Sequence, residues 1–299
     1  MMAAPLDSAV SGEIRQDEAM SGHTSWRVGG PADVFFRPAD CADLSLFMQE
    51  LDAGTPVFWL GLGSNLLVRD GGIRGVVVAV AGIFNELERV AERQVRAGAS
   101  LPCTRLARQC VRWELGPSEF FAGIPGTVGG ALAMNAGAHG GETWERVRKV
   151  TTMSRDGRVH ERTPADYQVA YRSVVGPADE WFLEAVFEFD AGVGANQETL
   201  KEMVARRKDT QPLGLPSCGS VFRNPPGDHA ARLIEAARLK GYRIGGAEVS
   251  AKHANFIINR DNASAQDIEA LITHVQQTVS EVHGVDLVHE VRIVGELAA

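Results

Sequence analysis

Cysteine is scarce in this sequence, and the few thiols are not arranged in a redox or metal motif. Among 299 residues there are four cysteines and no C-x-x-C pair. So few thiols cannot form a disulfide scaffold, and they favour a reducing, cytoplasmic location. His283 and His289 lack the spacing of metal ligands, so no metal site is predicted.

Long apolar runs and an excess of positive charge are also missing. No run approaches the roughly 18 apolar residues that a membrane span needs, and we expect no signal peptide at the N-terminus. The chain has 30 Lys and Arg against 38 Asp and Glu, a formal net charge of −8. An acidic chain has no general attraction for nucleic acid or anionic membranes, so neither is an expected partner. The oligomeric state stays open, with a monomer favoured.

Hydrophobic periodicity predicts strands and helices in alternation over the first half of the chain. A buried strand is expected at residues 56–60, after a helix that Asp40 caps, and a second helix is expected to open at Ser100. Residues 150–159 carry an Asp-Gly turn between apolar segments and predict a hairpin. In the last third, helices are expected at 228–240 and 264–283, and a final strand at 287–294. Ser264 with Asp267 three residues later predicts a capping box at the start of the second of these helices.

Glycine is abundant, with 32 residues, and it clusters in two places. The first glycine segment is residues 61–67 (GLGSNLL), and the second glycine segment is residues 123–130 (GIPGTVGG). Glycine lets backbone N–H groups approach a phosphate. Leu66 replaces the third glycine of a Rossmann fingerprint, a strand-like run follows it, and no lysine follows either segment as in a phosphate loop. Two tight turns remain the structural alternative.

The two glycine segments, their spacing and residues 135–138 (NAGA) resemble the FAD-contacting loops of the UDP-N-acetylenolpyruvoylglucosamine reductases (MurB). The resemblance runs from about residue 23 to residue 295. It implies an α+β fold: a two-part FAD-binding module of the vanillyl-alcohol-oxidase type, plus a smaller α/β substrate-binding lobe. The expected division is a poorly ordered N-terminus (1–20), FAD-binding subdomains (21–80 and 81–208) and a substrate-binding domain (209–299), with strand 287–295 returning to the active site.

Three further motifs match the same family: residues 171–173 (YRS), 217–225 (SCGSVFRNP) and 289–295 (HEVRIVG). The resemblance implies one catalytic side chain in each, namely Arg172, Ser220 and Glu290. Taken singly, each has a plainer interpretation, as a solvated arginine, a turn serine and a strand glutamate that points to solvent. Cys218 lies beside Ser220, but without a histidine partner it is expected to be an inert thiol.

The family's reaction, as the resemblance implies it, has two hydride transfers. NADPH reduces tightly bound FAD, and the hydride then passes to C3 of an enolpyruvyl ether on a UDP-sugar, giving UDP-N-acetylmuramate for peptidoglycan synthesis. Arg172 would stabilise the developing enolate, Ser220 would protonate C2, and Glu290 would polarise the neighbouring carboxylate or share a proton with it.

The resemblance also extends to binding residues. Expected FAD contacts are Gly61, Leu62, Gly63, Ser64, Asn65, Leu66, Gly123, Ile124, Pro125, Gly126, Thr127, Val128, Gly129, Ala133, Asn135 and Gly137. Expected substrate contacts are Tyr171, Arg223, Asn224, His253 and Asn255. The chain resembles the shorter subclass of the family, which lacks a substrate-covering tyrosine loop.

Two other functions are kept as alternatives. One is a flavin-dependent alcohol oxidase or dehydrogenase of the same superfamily, although such an enzyme needs a base at the reacting carbon rather than a proton donor. The other is a nucleotide-binding module without catalysis, which the three catalytic residue types oppose.

Overall fold

The computed structural model of the chain describes residues 10–192 and 196–298, which form a mixed α+β structure. The strands, in chain order, are β1 Glu13–Ala19, β2 Pro31–Arg37, β3 Val57–Leu60, β4 Leu66–Val68, β5 Ile73–Ala79, β6 Leu87–Arg89, β7 Gln94–Gly98, β8 Leu115–Gly116, β9 Gly137–Ala138, β10 Gly141–Glu142, β11 Val147–Ser154, β12 Val159–Arg162, β13 Gln168–Ala170, β14 Ser173–Val175, β15 Glu180–Glu188, β16 Asp190–Ala191, β17 Arg243–Ile244, β18 Ala247–Val249, β19 Ile257–Asn259 and β20 Arg292–Val294. The α-helices are α1 Cys41–Glu50, α2 Cys103–Arg112, α3 Val128–Met134, α4 Gln197–Thr210, α5 Ala230–Ala236 and α6 Ala265–His283.

The larger sheets are a four-stranded one, in the order β1-β2-β5-β3, and a five-stranded one, in the order β12-β11-β15-β7-β6. A three-stranded sheet has the order β17-β18-β19, and β20 pairs with β4. Nothing among the described helices is long and apolar enough to cross a membrane.

The chain divides into two compact units that are each discontinuous in sequence. Unit 1 contains residues 1–15, 35–61 and 76–206, and unit 2 contains residues 16–34, 62–75 and 207–299. The predicted boundary near residue 209 lies close to the start of the last segment of unit 2. The predicted subdomain 21–80, by contrast, is shared between the two units. The assignment of these segments to FAD and substrate binding stays a prediction.

The predicted disorder of residues 1–20 is wrong for part of that range. Glu13–Ala19 form strand β1, which pairs at the edge of the four-stranded sheet. Alternating half-buried and exposed positions along this strand gave little hydrophobic signal, because an edge strand buries little. Residues 1–9 lie outside the described residues.

The core of unit 1 lies between the five-stranded sheet and helices α2 and α3. Its fully buried members include Val95, Leu106 and Phe187. The predicted hairpin is confirmed as β11 and β12, joined through Gly157 at a φ of +76°. Strand β11 buries Val147, Val150, Thr152 and Met153, whereas β12 contains no buried residue, so the Asp-Gly turn was the clearer signal in sequence.

Helix starts in unit 1 were predicted with mixed success. Asp40 caps α1 as expected, with its carboxylate accepting from the N–H of Asp43 at 2.9 Å. The prediction that Ser100 opens the next helix is wrong, since α2 begins at Cys103. The Ser100 hydroxyl donates to the carbonyl of Val80 at 2.6 Å. The preceding carbonyl, that of Ala99, accepts from Gly129 at 2.7 Å, and the N–H of Leu101 donates to the carbonyl of Gly98 at 3.0 Å, so Ser100 lies in a turn before the helix.

The core of unit 2 packs one face of α6 against the three-stranded sheet, with Ile268, Leu271 and Val275 buried. The predicted capping box is confirmed, because the Ser264 hydroxyl accepts from the N–H of Asp267 at 3.0 Å. A long-range contact adds a second cap. The Asp70 carboxylate accepts from the N–H groups of Ala265 at 3.0 Å and Gln266 at 2.9 Å.

Two predicted elements of unit 2 are shorter than expected. The predicted helix 228–240 is reduced to α5, since the Asn224 side-chain oxygen accepts from Ala230 and Arg238 adopts a φ of +58°. The predicted strand 287–294 is reduced to β20. Residues 288–290 instead hydrogen-bond to residues 221–223, where Arg223 donates to Val288 at 2.9 Å.

The Asp70 cap gives a test of the packing in unit 2. Replacing Asp70 with alanine removes the acceptor for two N–H groups and a negative charge at the positive end of α6. We expect Asp70→Ala to lower the free energy of unfolding by about 1–2 kcal/mol. The measurement is urea-induced unfolding followed by far-ultraviolet circular dichroism. Glu281→Ala, at an exposed position near the other end of the helix, is the control. Equal effects of the two changes would contradict the capping role.

Candidate active site

The second glycine segment lies at the start of α3 and is fixed by the chain just before α2. Backbone N–H groups of Val128 and Gly129 donate to Leu101 at 2.9 Å and to Ala99 at 2.7 Å. Gly61, at the end of β3, comes close to the same segment: a Cβ placed there would lie 3.3 Å from Oγ1 of Thr127. Unit 1 therefore brings the first residue of one glycine segment beside the other segment.

Asn135 ends α3 in the left-handed conformation, with a φ of +46°, and is 2% exposed. Its side-chain nitrogen donates to the Glu142 carboxylate at 2.7 Å and to the carbonyl of Ala170 at 3.2 Å. Its side-chain oxygen accepts from the N–H of Trp144 at 3.1 Å. These contacts hold α3 against the neighbouring strands, so this predicted FAD contact has its side chain committed within the protein.

Arg172 lies at the tip of the β13–β14 hairpin and is held by the same region. Its two terminal guanidinium nitrogens donate to the carbonyls of Asn135 at 3.3 Å and Gly137 at 2.9 Å. Its guanidinium carbon lies 4.9 Å from the centre of the Tyr171 ring. A guanidinium anchored in this way is a fixed positive charge rather than a freely rotating surface side chain, which argues against its plainer interpretation.

In unit 2, the first glycine segment continues from Leu62 into β4. Gly63 has a φ of +59°, and a Cβ there would lie 2.0 Å from the carbonyl oxygen of His23. Its own carbonyl accepts from the N–H of Ser25 at 3.0 Å. This glycine is therefore required by the chain's own close approach. The expected strand after the segment is confirmed, because Leu66–Val68 pair in parallel with β20.

Unit 2 also brings Glu290 to Val221, the residue that follows Ser220 in sequence. The carbonyl of Val221 accepts from the N–H of Glu290 at 2.7 Å, and its N–H donates to the carbonyl of Asn255 at 2.9 Å. Gly219, with a φ of +81°, allows the turn that precedes Ser220. Glu290 itself lies outside β20, so the prediction that it sits within a strand is wrong.

Cys218 is buried two residues before Ser220. Burial raises the pKa of the Cys218 thiol well above its ordinary value, and the neighbouring Glu290 carboxylate raises it further. Burial likewise raises the pKa values of Cys103 and Cys110 to about 12. These thiols stay neutral near neutral pH, which agrees with the expectation that Cys218 is inert.

The predicted substrate contacts divide into anchored and less constrained side chains. Asn255 is 4% exposed, and its amide bonds both backbone groups of Phe222, at 2.9 Å and 2.8 Å. It therefore supports the Ser220 loop, and its side chain is not open to a ligand. His253 accepts from the N–H of Asn255 at 3.3 Å, and burial lowers its pKa. The Nε of Arg223 is buried without a hydrogen-bond partner, and Tyr171 is 45% exposed.

Sequence inspection missed the supporting roles of Asn65 and Asn255. The Asn65 side-chain nitrogen donates to the carbonyl of Glu290 at 3.1 Å, across 225 residues of sequence. No local pattern marks such a contact, because both partners are polar and each lies in irregular chain.

The glycine segments fit a dinucleotide cofactor where their backbone is open. At Gly130, in α3, a Cβ would meet nothing closer than Thr127 Oγ1 at 3.9 Å. At Gly61 the same atom would lie 3.3 Å from a Cβ, and at Gly123 the Cβ of Ala138 would lie 2.6 Å from it, so packing explains these two glycines. The uncovered backbone at Gly130 is a surface that a diphosphate can approach. Across the described part of the chain, no group of three or more His, Cys, Asp or Glu could hold a metal ion.

Comparison with protein families gives two matches that together span most of the chain. Residues 32–163 match an FAD binding domain, and residues 211–294 match the C-terminal domain of UDP-N-acetylenolpyruvoylglucosamine reductase. The first match confirms the predicted FAD cofactor and, with the second, the predicted class of flavin-dependent oxidoreductase.

Whole-chain relatives agree with these matches. The chain is 58% identical over 286 residues to the UDP-N-acetylenolpyruvoylglucosamine reductase of Alkalilimnicola ehrlichii, covering 95% of this chain and 96% of that protein. It is 55% identical over 298 residues to the enzyme of the same name from Methylococcus capsulatus, covering 99% and 98%. The crystal structure of the Thermus caldophilus enzyme is similar at a TM-score of 0.80 and 30% identity, covering 94% of this chain and 99% of that one. The predicted fold class is thereby confirmed, and the chain belongs to the UDP-N-acetylenolpyruvoylglucosamine reductase family.

Proposed function

We propose that this protein reduces UDP-N-acetyl-3-O-(1-carboxyvinyl)-glucosamine to UDP-N-acetylmuramate with FAD and NADPH, in peptidoglycan precursor synthesis. Family membership and the matched FAD binding domain support the reaction. The observation that carries the site is the hydrogen bond from the N–H of Glu290 to the carbonyl of Val221, at 2.7 Å. This bond joins Glu290 to the residue that follows Ser220, which supports a common site for these two of the three proposed catalytic residues.

When bound, FAD supplies the hydride that it accepts from NADPH and passes to C3 of the enolpyruvyl group. Hydride addition at C3 leaves negative charge at C2 and on the adjoining carboxylate. Arg172 is the proposed stabiliser of that charge. Its contacts with two backbone carbonyls support the role, because a positive charge already in place needs no reorganisation as the enolate forms.

Ser220 is the proposed donor of the proton that quenches C2. A serine hydroxyl is a weak acid in water, but a carbanion is a strong base, so placement matters more than a tuned pKa. The bonded backbone of Val221 supports such placement. Glu290 is proposed to act at the substrate carboxylate, by polarising it or by sharing a proton with it.

Location and assembly are part of the same proposal. We place the protein in the cytoplasm as a monomer that acts on a small UDP-sugar. All four cysteines are free thiols, which supports a reducing compartment. Assignment to the shorter subclass rests on the motif around Ser220 and stays a prediction.

The cofactor gives the first test of this function. We expect the purified protein to be yellow and to release FAD on denaturation, in about one equivalent per chain, because the open glycine backbone suits a dinucleotide. Absorbance and chromatography of the released flavin measure it. Release of FMN, or of no flavin after reconstitution with FAD, would contradict the cofactor assignment.

The role of Ser220 is tested by separating the two hydride transfers. In Ser220→Ala, bleaching of the flavin by NADPH should match that of the wild type, since no proton is delivered to substrate in that step. Re-oxidation by the enolpyruvyl substrate should slow by about 100- to 10,000-fold. Stopped-flow absorbance of the flavin follows both steps. Ser217→Ala, three residues earlier in the same loop, is the matched control, and a wild-type rate in Ser220→Ala would remove Ser220 from the mechanism.

The neighbouring thiol is tested in the same assay. Because burial and the Glu290 carboxylate raise the pKa of Cys218, the thiolate is scarcely populated at pH 8. We expect Cys218→Ala to keep a re-oxidation rate close to that of the wild type, with some loss of thermal stability from the cavity that it leaves. If Cys218→Ala slows re-oxidation as much as Ser220→Ala does, the thiol has a chemical role.

A further inference from the structure

The side chain of Asn65 forms a contact that its place in the first glycine segment does not require. Its nitrogen Nδ2 donates to the backbone carbonyl of Glu290 at 3.1 Å. Its own backbone carbonyl accepts from the N–H of Arg292 at 3.1 Å. Asn65 therefore bonds the chain on both sides of Val291, immediately after the proposed catalytic glutamate.

The backbone of Glu290 is bonded on both sides. It precedes β20, whose ladder with β4 begins at the pair Arg292 and Leu66. Its N–H donates to the carbonyl of Val221 at 2.7 Å, and its carbonyl accepts from Asn65. One hydrogen bond thus ties Glu290 to the Ser220 loop, and the other ties it to the first glycine segment.

We propose that Asn65 is a positioning residue, whose side-chain amide fixes the backbone of Glu290 and so the direction in which its carboxylate points. The inference rests on the proposed role of Glu290 and extends it. The bond needs a donor on a short side chain. Aspartate has the same size but presents a carboxylate oxygen to the carbonyl, which repels it, and alanine presents nothing.

This role differs from a side-chain contact with the cofactor, and the two have different consequences. A residue that held FAD through its side chain would change flavin binding and both hydride transfers. A residue that positions Glu290 would change only the step in which Glu290 meets the substrate. A shift of about 1 Å in a reacting group is enough to slow a step by roughly 100-fold.

The test compares Asn65→Ala, Asn65→Asp, Glu290→Gln and the double variant Asn65→Ala/Glu290→Gln as FAD-loaded proteins. Asn65 is also an expected FAD contact, and the inference requires its backbone, not its side chain, to make that contact. In both Asn65 variants, FAD content, flavin spectrum and bleaching by NADPH should then match those of the wild type. Re-oxidation by the enolpyruvyl substrate should slow by about 10- to 100-fold, with little change in the substrate concentration for half-saturation. The double variant should be no slower than Glu290→Gln alone, because the amide acts only through Glu290.

Asn259→Ala is the matched control. Its side-chain nitrogen also donates to a distant backbone carbonyl of unit 2, that of Trp26, at 2.9 Å, and its oxygen accepts from Ala263 at 2.8 Å. Asn259→Ala should lower thermal stability without slowing re-oxidation. This result would distinguish the positioning of Glu290 from a general destabilisation of unit 2.

Several results would overturn the inference. Loss of FAD or slower bleaching by NADPH in both Asn65 variants would assign the side chain to the cofactor. If the two substitutions slow re-oxidation multiplicatively in the double variant, or if Asn259→Ala slows re-oxidation equally, the Asn65 side chain has a general structural role instead. A wild-type re-oxidation rate in Glu290→Gln is a separate result, which would instead remove Glu290 from the proposed function.

Discussion

The constraint on which the site in unit 2 depends is that a segment near the C-terminus must satisfy its backbone hydrogen bonds with two distant parts of the chain. Val288 and Glu290 bond residues 221–223, and Arg292–Val294 pair with β4. Buried backbone groups left without partners cost about as much as a lost hydrogen bond. These hydrogen bonds therefore fix the position of the segment and bring Glu290 to the Ser220 loop.

Glycine makes the same arrangement sterically possible. Gly63 passes so close to the backbone of His23 that a Cβ would lie 2.0 Å from its carbonyl oxygen. Gly295, just after β20, has a φ of +87° and would place a Cβ 2.5 Å from the carbonyl of Gly72. Part of the glycine signal in this sequence thus reflects packing of chain against chain. The open backbone at Gly130 is the part that suits a ligand.

The features predictable from sequence were those with local causes. The cap at Asp40, the capping box at Ser264 and the hairpin around Gly157 depend on residues within a few positions. The strand after the first glycine segment was predictable from its apolar run, although its partner β20 lies far along the chain. Predictions were wrong where distant partners decided the outcome. Ser100 could have begun a helix, but Val80 binds its hydroxyl.

The same distinction between local and long-range causes applies to the candidate site. Each motif of the site is a continuous stretch of sequence, so Arg172, Ser220 and Glu290 could be proposed from resemblance to a family. The residues that support these three side chains could not be identified from the sequence. Asn255 was predicted to contact substrate, yet it forms its bonds with Phe222, because a buried amide must satisfy both its nitrogen and its oxygen. Asn65, predicted only as part of a cofactor loop, likewise uses its side-chain amide within the protein, in a bond to the carbonyl of Glu290.

Burial also decides which neighbouring group can deliver a proton. Cys218 and Ser220 lie two residues apart, and in water a thiol is by far the stronger acid. Cys218 is only 3% exposed, whereas Ser220 is partly exposed. Since both burial and the Glu290 carboxylate disfavour the thiolate, the acidity of the thiol is suppressed where it could compete with the hydroxyl. The local fold thus favours serine as the donor, although intrinsic acidity would favour cysteine.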